Sequence, residues 1–269
     1  MPTVAAHLRM AVALALAAAI GACGAPPVDW STTRSFTLPP ARLALSADGT
    51  TAPDSLAMLE LRVAAPAGLV CPGSVRLARA GRTLHAVWWA PRPDSGARLL
   101  AARSADDGAS WSAAAPVDTL DRGVTGCRRE PAAIAADSGT GYVHVAYALQ
   151  APEGPGLFFA HSMDGGISFH SPVPIFYGER LGRTSVAADG DLVVVGFEDP
   201  NSRVPRIGLA LSRTMGHIFE TRLIPVSDDN GAATQPMTAV RGRTIAVAWQ
   251  QRASGNASPT LAVRAGVVH

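Results

Sequence analysis

SADDGASW, residues 104–111, is a stretch that returns downstream as SMDGGISF (162–169) and once more, altered, as SRTMGHIF (212–219). The shared frame is Ser-x-Asp-x-Gly-x-x-aromatic, carried by Ser104, Asp106, Gly108 and Trp111, by Ser162, Asp164, Gly166 and Phe169, and by Ser212, Gly216 and Phe219. Each part suits a tight turn between two strands. Ser and Asp side chains hydrogen-bond the backbone of their own turn, and Gly takes a positive φ at no steric cost. The aromatic then anchors the outgoing strand. In the third copy Thr214 stands where the Asp belongs, so that turn is expected to be looser.

Working outward from these turns, four segments can be laid over one another: about 72–121, 129–179, 181–230 and 231 to the end. A period near 50 residues points to a propeller or an array. Every unit opens with a short apolar strand (SVRLARA, AAIAADS, TSVAADG, PMTAVRG) and continues with a second (TLHAVWWA, YVHVAYAL, LVVVGFED, TIAVAWQQ). The second strands align Trp88, Tyr147, Phe197 and Trp249, a column expected to fill the space between stacked sheets. Third strands (ARLLAARS, GLFFAHS, IGLALSR, PTLAVRA) run into the turns, and fourth strands are expected at or just after the turn aromatic. The last unit lacks a fourth strand, and residues 58–65, MLELRVAA, are the expected donor that closes its edge.

The turn frame resembles the Asp-box, or BNR, repeat of sialidase-like β-propellers. That resemblance implies an all-β fold, a β-propeller of four-stranded antiparallel blades, with the boxes on outer turns away from the ligand funnel. Four units and a leading part containing Ser46-Ala47-Asp48-Gly49 leave four blades or five open; the sialidases themselves have six. The resemblance also implies an active site of three Arg, a Tyr nucleophile partnered by a Glu, and an Asp acid/base. The match is incomplete. Arg129-Glu130-Pro131 retains only the Arg and Pro of the family's Phe-Arg-Ile-Pro motif, and the family's late Tyr has only Tyr177 as a stand-in.

Hydrophobic residues make up 48% of the 269 and charged residues 16%, with a formal net charge of +2. No basic field argues for nucleic acid. Residues 1–22 have the layout of an export signal, and Ile20-Gly21-Ala22-Cys23 resembles a lipobox, which implies lipidation of Cys23 and attachment to a membrane through the N-terminal lipid. An ordinary cleaved signal is the alternative. Residues 23–36 read as a tether and 37–269 as the propeller, expected as a monomer in the bacterial cell envelope, periplasmic or on the outer surface. Cys71 and Cys127 then form an even pair in an exported chain, favouring a disulfide over two free thiols.

Candidate ligand-facing residues lie at first-strand starts and second-strand ends: Arg128, Arg129, Arg183 and Gln235, with Trp89, Glu198, Asp199, Gln250 and Gln251. Two converging guanidinium groups could grip a carboxylate; a surface ion pair such as Arg129 with Glu130 accounts for them equally. Glu198 and Asp199 are neighbours on a strand end and point to opposite faces, a poor source for a glycosidase pair. With Tyr177 they complete the weak catalytic candidates. His85 and His144 share a column but lack companions at metal-ligand spacing, and Asp228-Asp229-Asn230 lacks the spacing of a calcium loop. No cofactor motif is present. The reading is a noncatalytic binding module for a glycan, peptide or protein partner, with a divergent sialidase-type exo-glycosidase as the alternative.

Overall fold

The computed structural model describes residues 26–37 and 64–269, apart from 94–95, 124–125, 181, 200, 229–230 and 254–257. The described residues form an all-β propeller-type fold built from four consecutive antiparallel sheets. The first sheet contains β3 (Arg76–Ala80), β4 (Thr83–Pro91), β5 (Ala97–Ser104) and β6 (Ala115–Asp118); two earlier strands, β1 (Val28–Trp30) and β2 (Arg34–Phe36), belong elsewhere. The second contains β7 (Ala133–Ala136), β8 (Val143–Ala151), β9 (Gly154–Ser162) and β10 (Val173–Tyr177). The third contains β11 (Thr184–Asp189), β12 (Leu192–Glu198), β13 (Ile207–Ser212) and β14 (Ile224–Pro225). The fourth contains β15 (Ala232–Arg241), β16 (Thr244–Arg252) and β17 (Thr260–Val268).

The first three sheets, and β15 to β17 of the fourth, fall within the expected units. The outermost strands start later than expected, at Ala115, Val173 and Ile224, because the residues after each turn aromatic first complete the turn. Successive sheets pack face to face, so their middle strands are covered on both sides. That is why β12 (LVVVGFE) and β13 (IGLALS) are apolar runs rather than alternating ones. In the middle of β12, Gly196 is required by close approach: a Cβ there would meet Ser185 Oγ at 2.6 Å and Thr238 Cγ2 at 2.7 Å.

The aromatic column behaves as expected. Tyr147 lies in the core between the first and second sheets, Phe197 between the second and third, and Trp249 between the third and fourth. Each therefore faces the preceding sheet. Trp88 holds the matching place on the first sheet, where Leu69, Val75 and Trp111 pack around it. His85 and His144 point the other way, toward the glycines of the following turns: a Cβ on Gly166 would meet His85 Nδ1 at 3.0 Å, and one on Gly216 would meet His144 Nδ1 at 3.6 Å. Burial, reinforced by His161 and His217, lowers the His144 pKa to about 4, so it packs as a neutral ring at ordinary pH. Among the described residues no group of three or more His, Cys, Asp or Glu is arranged to hold a metal ion.

The closing strand of the fourth sheet is not the expected one. β1 pairs antiparallel with β17 (Val28 opposite Val268, Trp30 opposite Gly266), and β2 pairs with another part of β17 (Phe36 opposite Leu261). The segment 23–36, expected as a tether, thus carries two strands of the fold. Val28 is buried and Trp30 packs on the same core, beneath the Arg264 guanidinium at 5.1 Å. VDW supplies an apolar–polar–apolar alternation that a Pro-containing segment partly hides in the sequence. Residues 58–63 of the expected donor, Ser46 to Gly49, and the region of the signal and Cys23 lie outside the described residues.

The three turns share one hydrogen-bond scheme. In the first, Gly108 N donates to Ser104 Oγ at 2.8 Å, Ser104 Oγ to Asp106 Oδ1 at 2.7 Å, and Ser110 N to Asp106 Oδ1 at 2.9 Å. The second repeats these bonds through Ser162, Asp164, Gly166 and Ser168 at the same distances. All three glycines have positive φ. In the third, Thr214 Oγ1 still accepts from Ile218 N at 2.9 Å, but the Gly216 N to Ser212 Oγ bond lengthens to 3.1 Å and no carboxylate receives a second hydroxyl. The turn aromatics pin what lies beside them. Trp111 Nε1 donates to Ala64 O at 2.6 Å, Phe169 packs on the core between the first two sheets, and Phe219 meets Phe159 edge-on at 4.8 Å.

These turns have a pH signature. Bonds from Ser110, with help from Ser104, outweigh the small burial effect and hold the Asp106 pKa near about 2. At Asp164 partial burial pushes the pKa up, but bonds from Ser168, Ser162 and Ile167 prevail and bring it to about 2. A folded pKa below the ordinary 3.8 means that the stabilisation is present above that value and is lost as pH falls toward about 2. Urea midpoints should therefore drop between those limits, and the drop should be shallower in an Asp106→Asn/Asp164→Asn variant; an unchanged slope refutes the assignment.

Candidate functional site: an axial cavity

The inner strands of the four sheets converge on a cavity of about 970 Å³. Its wall takes Arg76 and Leu77 from β3, Ala133 and Ile134 from β7, Thr184 to Val186 from β11, and Gln235 to Thr238 from β15. Glu130, Pro131 and Arg183 precede two of these strands and lie at the same wall, as do Gln250 at the end of β16 and residues 258–261. The inner strands are partly exposed because one side has no sheet to pack against; Leu77 and Met237 are 58% and 57% exposed.

The most constrained residue here is Gln235. It sits in a bulge, where the pairing of β15 with β16 shifts between Thr234 and Met237, and holds φ at 56°. Left-handed backbone at a residue with a Cβ costs about 1 kcal/mol or more and persists only where its surroundings enforce it. The enforcing contact is Glu198, whose Oε1 accepts the Gln235 N–H at 2.7 Å. The bulge turns the Gln235 side chain onto Gln250, with Nε2 donating to Oε1 at 3.3 Å. Thr234 Oγ1 approaches the same oxygen at 3.5 Å.

Of the remaining candidates, Arg183 lines the cavity and pairs through Nε with Glu130 Oε2 at 3.2 Å. Arg76, absent from the sequence-based set, also lines it, and donates from Nη1 to Val75 O at 2.7 Å and Gly73 O at 3.4 Å. Trp89 and Arg129 are corrected from ligand-facing to structural. Trp89 is fully buried between the first two sheets and donates from Nε1 to Glu130 O at 3.0 Å. Arg129 is buried beside it, on Asp121. Neither lines the cavity.

The weak catalytic candidates do not assemble. Tyr177 lies on β10, the outermost strand of its sheet, 45% exposed against Phe158. Glu198 serves the Gln235 backbone, and Asp199 caps a loop by accepting from Asn201 N at 2.9 Å. Gln251 receives the Trp249 Nε1–H at 2.8 Å. Of the acidic loop after the third unit, Asp229 and Asn230 lie outside the described residues.

Two solved structures resemble this arrangement. One is a protein of unknown function from Dyadobacter fermentans DSM 18053, 18% identical, with a TM-score of 0.55 over 71% of this chain and 52% of that one. The other is the phage phi92 endosialidase, 10% identical, with a TM-score of 0.53 over 77% of this chain and 38% of that one. The likeness is one of fold. This chain spans about half the length of the first and under two fifths of the second. No protein-family model matches the chain. No curated protein matches it either.

Proposed function

We propose that this chain is a noncatalytic binding module that holds a glycan, peptide or protein partner in the axial cavity. One observation carries the reading: among the described residues lining the cavity Glu130 is the only carboxylate, and it is already paired with Arg183. Glycoside hydrolysis by the usual routes takes two carboxyl groups flanking the scissile bond, about 5 to 9.5 Å apart. A cavity of this size with a few polar groups is what small-ligand recognition requires. The Asp-box assignment of the three turns belongs to the same proposal, supported by their common hydrogen-bond scheme on the outer side of each sheet. Export with lipidation at Cys23 is proposed alongside it, and the bond between Cys71 and Cys127 supports an oxidising compartment.

The sialidase-type alternative keeps one favourable observation, the Arg183 guanidinium in the cavity wall. A fluorogenic sialoside assay separates the two. No turnover is expected from the purified chain; turnover that is lost in Arg183→Ala or Tyr177→Phe overturns the binding-module reading.

A further inference from the structure

We infer that the ligand of this cavity is an uncharged apolar peptide segment, gripped at Gln235 and Gln250 through the backbone N–H and C=O of one of its residues. This rests on the binding-module reading and narrows its ligand class.

Three observations converge. The first is the Gln pair itself. With Gln235 Nε2 donating to Gln250 Oε1, the pair is left with a carbonyl oxygen on one amide and an N–H on the other, side by side in the cavity wall. Reversing both amides leaves the same combination. An acceptor beside a donor is the complement of one residue of an extended peptide, whose N–H and C=O point to the same side. The strained backbone at Gln235, held by Glu198, fixes where this pair stands.

The second observation concerns charge. Arg183 is engaged by Glu130, and Arg76 is turned onto the carbonyls of Gly73 and Val75. A ligand carboxylate drawn to the remaining Arg183 N–H groups would stand beside the Glu130 carboxylate, whose negative charge opposes it. An uncharged ligand disturbs neither.

The third concerns the rest of the wall. Leu77, Ile134, Pro236, Met237 and Leu261 make it largely apolar, and no aromatic stands among the described lining residues. Ser185 Oγ and Thr238 Oγ1, though on lining residues, are themselves shielded from solvent. A saccharide carries hydroxyls all round its rings, and each one pressed unpaired against this wall loses its water hydrogen bonds without replacement. An apolar peptide instead places side chains on Leu77 and Met237 and the N–H and C=O of one residue on the Gln pair.

The test is calorimetric titration of the full chain with acetyl-Leu-Ala-Leu-amide, with 3′-sialyllactose and a neutral xylo-oligosaccharide as comparisons. The blocked peptide should bind, about tenfold more weakly to Gln250→Ala and not at all to Met237→Trp, whose ring stands where the ligand's apolar side chain would lie. Leu-Ala-Leu with a free carboxylate should bind no more tightly. Failure of the blocked peptide to bind at millimolar concentration overturns the inference. So does tighter binding of the free acid that depends on Arg183. Saccharide binding abolished by Met237→Trp would overturn the peptide class while sparing the cavity as the site. Peptide binding indifferent to both substitutions would place it elsewhere and overturn both readings.

Discussion

Replacing Arg129 with Ala is expected to destabilise the protein by about 3–5 kcal/mol, the cost of breaking a buried ion pair from one side. Arg129 Nε and Nη2 both donate to Asp121 Oδ2, at 2.8 and 2.5 Å, and the two side chains are only 6% and 3% exposed. Nη1 donates to Gly126 O at 2.7 Å, and the guanidinium lies 5.8 Å from the centre of the Trp89 ring. Removing the cation leaves Asp121 charged, buried and without its partner. A second substitution, Asp121→Ala, should therefore recover part of the loss. Urea denaturation of the wild type, both single variants and the double variant measures this. If Arg129→Ala is as stable as wild type but loses affinity for its ligand, the structural assignment fails.

The second large effect is expected at the disulfide. Cys71 and Cys127, 5.4 Å apart at Cα and separated by 56 positions, join the segment leading into β3 to the loop leading into β7. Closing a loop of that length in the unfolded chain accounts for about 4 kcal/mol in the chain-entropy model. The folded side is prepared for it: a single 3-10 turn, Pro72–Ser74, follows Cys71, and Ser74 Oγ donates to Cys71 O at 2.7 Å while accepting from Trp89 N at 3.0 Å. A Cys71→Ser/Cys127→Ser variant should lose about 2–4 kcal/mol, and reductant should lower the urea midpoint of the wild type alone. Equal midpoints for the two proteins under oxidising conditions would refute it.

Much of this fold was legible because its signals are local. A Ser-x-Asp-x-Gly turn satisfies itself, so the frame appears in the sequence wherever the turn does. The aromatic column was legible because one place per sheet must always fill the same intersheet space. A further repeated device went unused: Asp137 Oδ2 accepts from Gly190 N at 2.9 Å, and Asp189 Oδ2 from Gly242 N at 2.6 Å, each pair 53 positions apart. Its trace is the Ala-Ala-Asp that ends both AAIAADS and TSVAADG.

The cavity was legible only in part. Gln235, Gln250 and Arg183 were found because strand starts and ends can be counted. Trp89 and Arg129 occupy the same kinds of position, yet Trp89 is buried between sheets and Arg129 turns onto Asp121, eight positions earlier in the same connection between β6 and β7, a pairing that no period predicts. The bulge at Gln235 was equally hidden, since its cause is a carboxylate in the neighbouring sheet. The closing strand was misplaced because MLELRVAA is the more apolar donor, whereas the strand actually used gains its burial only once β17 lies beside it.

That pairing also sets an order of events during synthesis. Ser31 and Ala265, whose backbones meet in the finished molecule with Ala265 N donating to Ser31 Oγ at 3.2 Å, are 234 positions apart. β1 and β2 must wait, unpaired with β17, until the chain between them has been made, while the three intervening sheets need only contacts close in sequence. Annealing of β1 and β2 onto β17 should thus be a slow step, and the one most exposed to misassembly, in which a neighbouring copy lends its own β1 and β2 to a vacant β17.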